Sequence, residues 1–195
     1  MGRRIRTRAV LALALALALA ALLALNACGG GDDSPATTSL RSPAELPAGL
    51  DGRVVSVTDG DTIRVELASG AVERVRLTGI DTPETKDPRT VVECFGKEAS
   101  AHTLALLPPG TAVRLERDVE LRDRYGRLLA YVWRVSDRLF VNEELVAGGW
   151  AVPYRYPPNV KYADEISRLG AEARRRNLGL WGKCGGPNTP AVTKG

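Results

Sequence analysis

The chain has 195 residues, 44% of them hydrophobic and 26% charged, which is room for one globular domain and too apolar for an unfolded chain. Its formal charge of +4 resides in Arg3, Arg4, Arg6 and Arg8 of the first 27 residues; beyond them lysine plus arginine balances aspartate plus glutamate at 23 each. That balance excludes a uniformly basic nucleic-acid coat, so any affinity for phosphates must come from a local patch, and one histidine with three cysteines excludes His-rich metal sites and a zinc-finger framework.

In chain order, the four arginines precede an apolar run over residues 9–25 with small residues after it, the pattern of a secretory leader over residues 1–27. The run is also as long as a short membrane span, so a retained anchor is the alternative. Leu25-Asn26-Ala27-Cys28 resembles the lipobox of bacterial lipoproteins, in which the cysteine is acylated and becomes the first residue; a plain cleaved leader is the simpler reading. An extracytoplasmic protein held to the membrane through Cys28 is expected. Residues 28–49, rich in Gly, Ser, Thr, Pro and Ala, predict a flexible tether, because they bury too little apolar surface to offset the ordering of their backbone. The domain is expected over residues 50–184, with a polar tail over residues 185–195.

Within the domain, residues 53–58, 62–67 and 72–78 alternate β-branched and polar side chains, the period of strands with one buried face, and Asp59-Gly60-Asp61 and Ser69-Gly70 are turn signals. Residues 98–107 predict a helix ended by Pro108-Pro109-Gly110. Strands follow over residues 112–116 and 128–135, then a short helix through Ala147 with Asn142 as its N-cap, and a longer amphipathic helix over residues 162–176. Five strands with interspersed helices suggest an α+β fold, a small barrel with helices outside as in an OB-fold; periodicity alone does not separate this from another α+β sandwich.

Three stretches carry chemistry: Asp59-Gly60-Asp61-Thr62, residues 76–85 (Arg-Leu-Thr-Gly-Ile-Asp-Thr-Pro-Glu-Thr) and Asp123-Arg124-Tyr125-Gly126-Arg127. If the first strands form a meander, Asp61 and Asp81 converge, and two carboxylates with a main-chain carbonyl and water make the hard oxygen environment that Ca²⁺ prefers. Glu84, after a proline that stiffens its turn, is a candidate general base. Arginines offer planar forks to phosphate oxygens, so the set suits phosphoryl transfer without a covalent nucleophile.

These segments resemble the signatures of the micrococcal nuclease (thermonuclease, staphylococcal-nuclease-like) family. The likeness runs in order from about Gly52 to Trp181 and includes residues 95–100, 141–146 and 177–181. It implies a five-stranded OB barrel with three α-helices, and Ca²⁺-dependent hydrolysis of DNA and RNA at the 5′ oxygen that leaves 3′-phosphates. It further implies that Asp61, Asp81 and the carbonyl of Thr82 hold calcium, with Asp59 behind them, and that Glu84 is the base. Arg76 and Arg127 would bind phosphate, and Arg124, Tyr125, Tyr154 and Tyr156 would surround the nucleotide. Arg127 is read as a charge stabiliser, because guanidinium holds its proton tightly.

The chain departs from that pattern after Thr85, where the loop carries fewer bases than the best-known member, and in Cys94 and Cys184. In an oxidising compartment this pair is expected to form a disulfide that clamps the start of the first helix to the C-terminus, away from the site. Each signal has a plainer reading: Asp-Gly-Asp as a hairpin turn, Asp-Thr-Pro-Glu as an Asx turn, the tyrosines and Trp133, Trp150 and Trp181 as core, and His102 as a satisfied helix residue. Their joint occurrence in one order is what overturns the plain readings. A catalytically dead nucleic-acid or protein scaffold, and an extracytoplasmic module binding oligosaccharide or a protein, are the competing functions. No obligate protein partner is implied, and a monomer is expected.

Overall fold

The computed structural model describes residues 45–85 and 92–191. The leader, Cys28 and residues 28–44 of the expected tether lie outside the described residues. Strands β1 (Leu50–Asp59), β2 (Thr62–Leu67) and β3 (Val72–Leu77) form the expected antiparallel meander. Their alternation sends Val54, Ile63, Val65, Val75 and Leu77 inward to full or near-full burial. β1 also pairs antiparallel with β5 (Ala112–Glu116), β5 pairs with β6 (Leu128–Arg134), and β6 returns parallel to β3. That last ladder, from Val75 opposite Leu128 to Leu77 opposite Ala130, closes five strands into a barrel. Register shifts in β1 between Val54 and Ser56 and between Val57 and Asp59 bend the strand that must pair on both sides.

The five expected strands are present and the fold is the expected α+β OB barrel. Two short pairings lie outside the sequence reading. β4 (Ile80–Asp81) pairs with β8 (Val152–Pro153), and β7 (Leu139–Phe140) extends β6. The expected helices are α1 (Gly96–Leu106), α2 (Val141–Ala147) and α3 (Ala163–Arg175); a fourth, α4 (Leu180–Cys184), adds a turn that lacks the length to show periodicity. Helix α3 is strongly amphipathic and buries Ile166, Leu169 and Ala173.

Asn142 is not an N-cap, which corrects the sequence reading. The capping position is Phe140, and Asn142 lies inside α2 with its side chain fully buried. Its Nδ2 donates to the carbonyl of Thr78 at 2.8 Å and its Oδ1 accepts from the N–H of Val132 at 2.9 Å. The amide thus satisfies two backbone groups where β3 ends against β6, and burial there repays more hydrogen bonding than an exposed cap would.

Opposite Tyr131 on the β5–β6 ladder, Glu116 is buried and accepts hydrogen bonds from Trp133 Nε1 at 2.9 Å, from the Tyr162 hydroxyl and from Lys161. Trp133 stacks on Phe140 with ring centroids 4.4 Å apart, so it is core as expected. The disulfide between Cys94 and Cys184 is present, with Cα atoms 6.0 Å apart. Part of the segment read as a polar tail runs beside it. The N–H of Cys94 donates to Thr189 at 2.7 Å, that of Ala191 donates to Val92 at 2.9 Å, and Glu93 bridges to Pro190.

Candidate active site

The first acidic turn is shaped by close approach. Gly60 is buried, and a Cβ built on it would lie 2.7 Å from Thr82 Cγ2 and Oγ1; only glycine lets the turn and the 82–85 segment touch. Helix α1 fixes the same turn from behind, because Thr103 donates its hydroxyl to the Gly60 carbonyl at 2.7 Å. Asp61 is held by three donors: Thr62 Oγ1 at 3.0 Å on Oδ1, and the N–H and hydroxyl of Thr82 at 3.0 and 3.1 Å on Oδ2. Its own N–H donates to Asp59 Oδ1 at 3.2 Å, so Asp59 sits directly behind it.

The β2–β3 register sets Arg76 opposite Thr62, next to that turn. Arg76 Nη2 lies 3.2 Å from Asp61 Oδ2 and 2.8 Å from Asp81 Oδ1, and Nη1 donates to the carbonyls of Leu77 and Ile80. The guanidinium therefore pins together the two carboxylates that the sequence pointed to. Asp81 is delivered by β4, whose partner β8 leads into Tyr154; Tyr154 donates its N–H to the Gly79 carbonyl at 2.9 Å.

The third stretch is a turn organised by Asp123. Its Oδ1 accepts the N–H groups of Tyr125 and Arg127, both at 2.9 Å, and its Oδ2 takes Arg127 Nε at 2.6 Å. Burial pushes the Asp123 carboxyl up, but the side-chain and backbone hydrogen bonds from Arg127 outweigh it and leave the group below its ordinary range. Arg127 then donates from Nη1 to Thr62 Oγ1 at 3.3 Å, which joins this turn to the first. Arg124 lies 4.8 Å over the Tyr125 ring and hydrogen-bonds its hydroxyl at 2.7 Å.

A cleft of about 350 Å³ opens between these elements, lined by Arg76, Asp81, Arg124, Tyr125, Arg127 and the pair Tyr154 and Tyr156, among others. Its three arginines and the half-exposed rings of Tyr125 and Tyr154 give it complementarity to a phosphate with a base or sugar attached. Glu84 does not line this cleft. It sits on the loop beyond Thr82, its Oε1 accepting the N–H of Thr85 at 2.8 Å, yet near enough for its charge to act on Asp81.

The structure brings together Asp59, Asp61, Arg76, Asp81 and Thr82 in one hydrogen-bonded cluster, and Arg127 joins it through Thr62. Sequence reasoning missed three residues: Thr62, which bridges Asp61 and Arg127; Asp123, which aims Arg127; and Glu93. Glu93 Oε2 accepts the N–H of Glu84 at 3.2 Å, and the Glu93 N–H donates back to the Glu84 carbonyl at 2.9 Å. Asp123 was visible as the first residue of its stretch. Nothing local marks Glu93 except its place beside Cys94, and that place corrects the expectation that the disulfide lies away from the site.

Burial and carboxylate crowding together favour protonation within the cluster. Burial, then the charge of Asp61, pushes Asp59 up to about 6, and the same two causes push Asp81 up to about 6 despite Arg76. The donors are all oxygen, and an ion of opposite charge would relieve the repulsion, so the set fits a hard divalent cation. Among the described residues no cluster of three or more His, Cys, Asp or Glu is placed as a complete metal cage. Two carboxylates would thus need backbone carbonyl and water to complete a coordination sphere.

Comparison with known proteins gives a consistent result. The family model described as staphylococcal nuclease homologue matches residues 74–183. The thermonuclease of Staphylococcus intermedius is 42% identical over 153 residues, 78% of this chain and 84% of that protein. The thermonuclease of Staphylococcus hyicus is 43% identical over 129 residues, 66% of this chain and 74% of that protein. Endonuclease YncB of Bacillus subtilis (strain 168) is 41% identical over 140 residues, 68% of this chain and 64% of that protein.

Proposed function

The chain belongs to the staphylococcal nuclease family, and from that premise we propose that it is a calcium-dependent phosphodiesterase that cuts DNA and RNA, single strands preferred, and leaves 3′-phosphates. It is a nuclease hydrolase, and nucleic acid is its substrate. The observation that carries the finer reading is the joining of Asp61, Asp81, Arg76 and Arg127 at one end of the barrel through Thr62. A scaffold that only bound a partner would have no need of that set.

In this reading Asp61, Asp81 and the Thr82 carbonyl hold the ion. A bound calcium would supply charge neutralisation at a phosphate oxygen and a place for water. The chain's own residues do the rest. Arg76 and Arg127 seat the phosphodiester, and their forks match the charge that spreads over its equatorial oxygens as phosphorus becomes five-coordinate. Glu84 accepts a proton from the attacking water as the new O–P bond forms. The bond from phosphorus to the 5′ oxygen breaks on the opposite side, and that oxygen takes a proton from solvent. Tyr125, Tyr154 and Tyr156 hold the adjoining sugar and base by stacking.

The protein works outside the cytoplasm as a monomer, tethered by an acylated Cys28; the support is the Leu-Asn-Ala-Cys sequence and the paired cysteines downstream. Cys28→Ala should release the protein or leave it unprocessed, and unchanged mass and membrane partition would sink the anchor. For the chemistry, labelled single-stranded DNA and RNA are incubated with the chain across a Ca²⁺ series. Cleavage that rises with calcium and stops in excess chelator is expected; equal cleavage in chelator would overturn the calcium assignment.

A further inference from the structure

The balanced charge of the domain leaves open how a polynucleotide longer than the cleft is held. The barrel surface supplies an answer. Side chains two apart on a strand share a face, so Arg74 lies on the same face of β3 as Arg76. The register sets Arg64 of β2 directly opposite Arg74, two residues along from Thr62 opposite Arg76. Arg64 and Arg74 are both exposed. Like charges directly opposite each other destabilise a sheet, and among the described residues no carboxylate forms an ion pair with either guanidinium. Arg74 Nη2 instead donates to the Tyr125 carbonyl at 3.0 Å, which ties this pair to the turn that carries Arg124 and Arg127. Glu66, next along that face of β2, is exposed and opposite Val72; its charge would repel a phosphate and ends the basic stretch.

We propose that Arg64 and Arg74 form an outlying phosphate track on which a single-stranded polynucleotide continues out of the cleft. The proposal rests on the nuclease reading and adds to it how chain length is sensed. Arginines two apart on one strand rise by about 6.7 Å, so an extended single strand can follow Arg76 to Arg74 phosphate by phosphate. The basic patch is contributed by β2, β3 and the 123–127 turn, segments far apart in a sequence whose overall balance conceals it.

The test measures binding of full-length wild-type chain and variants to labelled oligothymidylates of about 4 and about 16 nucleotides, in chelator, across a salt series. Arg64→Gln combined with Arg74→Gln should weaken binding of the longer strand by about tenfold. It should also lower the slope of log K against log salt by about 1.4, for two phosphates at about 0.7 each, and cost the shorter strand less. Arg64→Lys with Arg74→Lys should restore the slope. Arg117→Gln with Arg176→Gln, which removes equal charge elsewhere, should leave the wild-type preference for length intact. Equal losses on both lengths, or the same loss from the Arg117 and Arg176 pair, would overturn the track while wild-type cleavage leaves the nuclease reading standing. A wild-type chain that binds neither strand in chelator and cuts neither once calcium is restored would overturn both.

Discussion

Arg127 lines the cleft and is committed on two sides, to Asp123 through Nε and to Thr62 through Nη1, which fixes the plane of its guanidinium. Arg127→Lys replaces a fork with a point charge and should lower kcat severely. Asp123→Asn keeps the size of the side chain but loses the ion pair that aims the guanidinium; about a 10- to 100-fold loss in kcat/KM is expected, as for a misplaced positioning group. Steady-state kinetics on one oligonucleotide at saturating calcium checks both, and a wild-type rate for Asp123→Asn would remove Asp123 from the mechanism. Glu84→Gln retains shape but cannot accept a proton from water. Its kcat should fall at least about 100-fold with little change in affinity, and full kcat would end its assignment as base.

At the scale of elements, the barrel and its attachments respond to different substitutions. Asn142→Ala leaves the Val132 N–H and the Thr78 carbonyl buried without their side-chain partner, at a cost of about 2–4 kcal/mol that urea unfolding would register. An unchanged midpoint would mean that water replaces the amide. The disulfide joins the start of α1 to the end of α4 across a sequence separation of 90, and in the chain-entropy model it contributes on the order of 4 kcal/mol. Its neighbour Glu93 exchanges hydrogen bonds with Glu84, and Gly96 lets the first turn of α1 press on that loop, since a Cβ there would lie 2.4 Å from Thr85 Cγ2. Cys94→Ser with Cys184→Ser should therefore lower kcat as well as Tm, with KM little changed. A lowered Tm with wild-type kcat at low temperature would confine the bridge to stability.

For the whole molecule, the proposed cation would compete with protons for the acidic cluster around Asp61. Asp59 and Asp81 bind protons more tightly folded than unfolded, with values near 6 against 3.8. Stability from that difference is fully present below 3.8 and is lost as pH rises through 3.8 to about 6. Asp123 runs the other way: its depressed value stabilises above the ordinary carboxylate range and is lost as pH falls below it. A divalent cation on Asp61 and Asp81, as proposed, would offset the repulsion only where the carboxylates are charged. Calcium should therefore raise Tm more at neutral pH than near pH 5, as thermal scans in calcium and in chelator would show. An equal gain at both pH values would place the ion elsewhere.

The strand over Thr62–Leu67 was legible in the sequence to the residue, and that over Ala112–Glu116 closely, because a face buried in a barrel imposes period two on the chain that forms it. The three chemical stretches were legible because turns that aim charged groups need Gly, Pro and Asx at fixed places. Asn142 misled, since an amide beside a helix start has the same local pattern whether it caps the helix or bridges two strands. Thr62 stood in the first stretch without a sign of its bridging role, and Glu93 and the opposition of Arg64 to Arg74 had no local pattern at all. Their partners lie across ladders and a disulfide, and a contact set by register or by loop closure leaves no period in the chain. The sequence by itself determined the main elements and the nuclease family; only the tertiary structure decided which charges meet, because pairing across a closed barrel depends on strand register, which no single strand encodes.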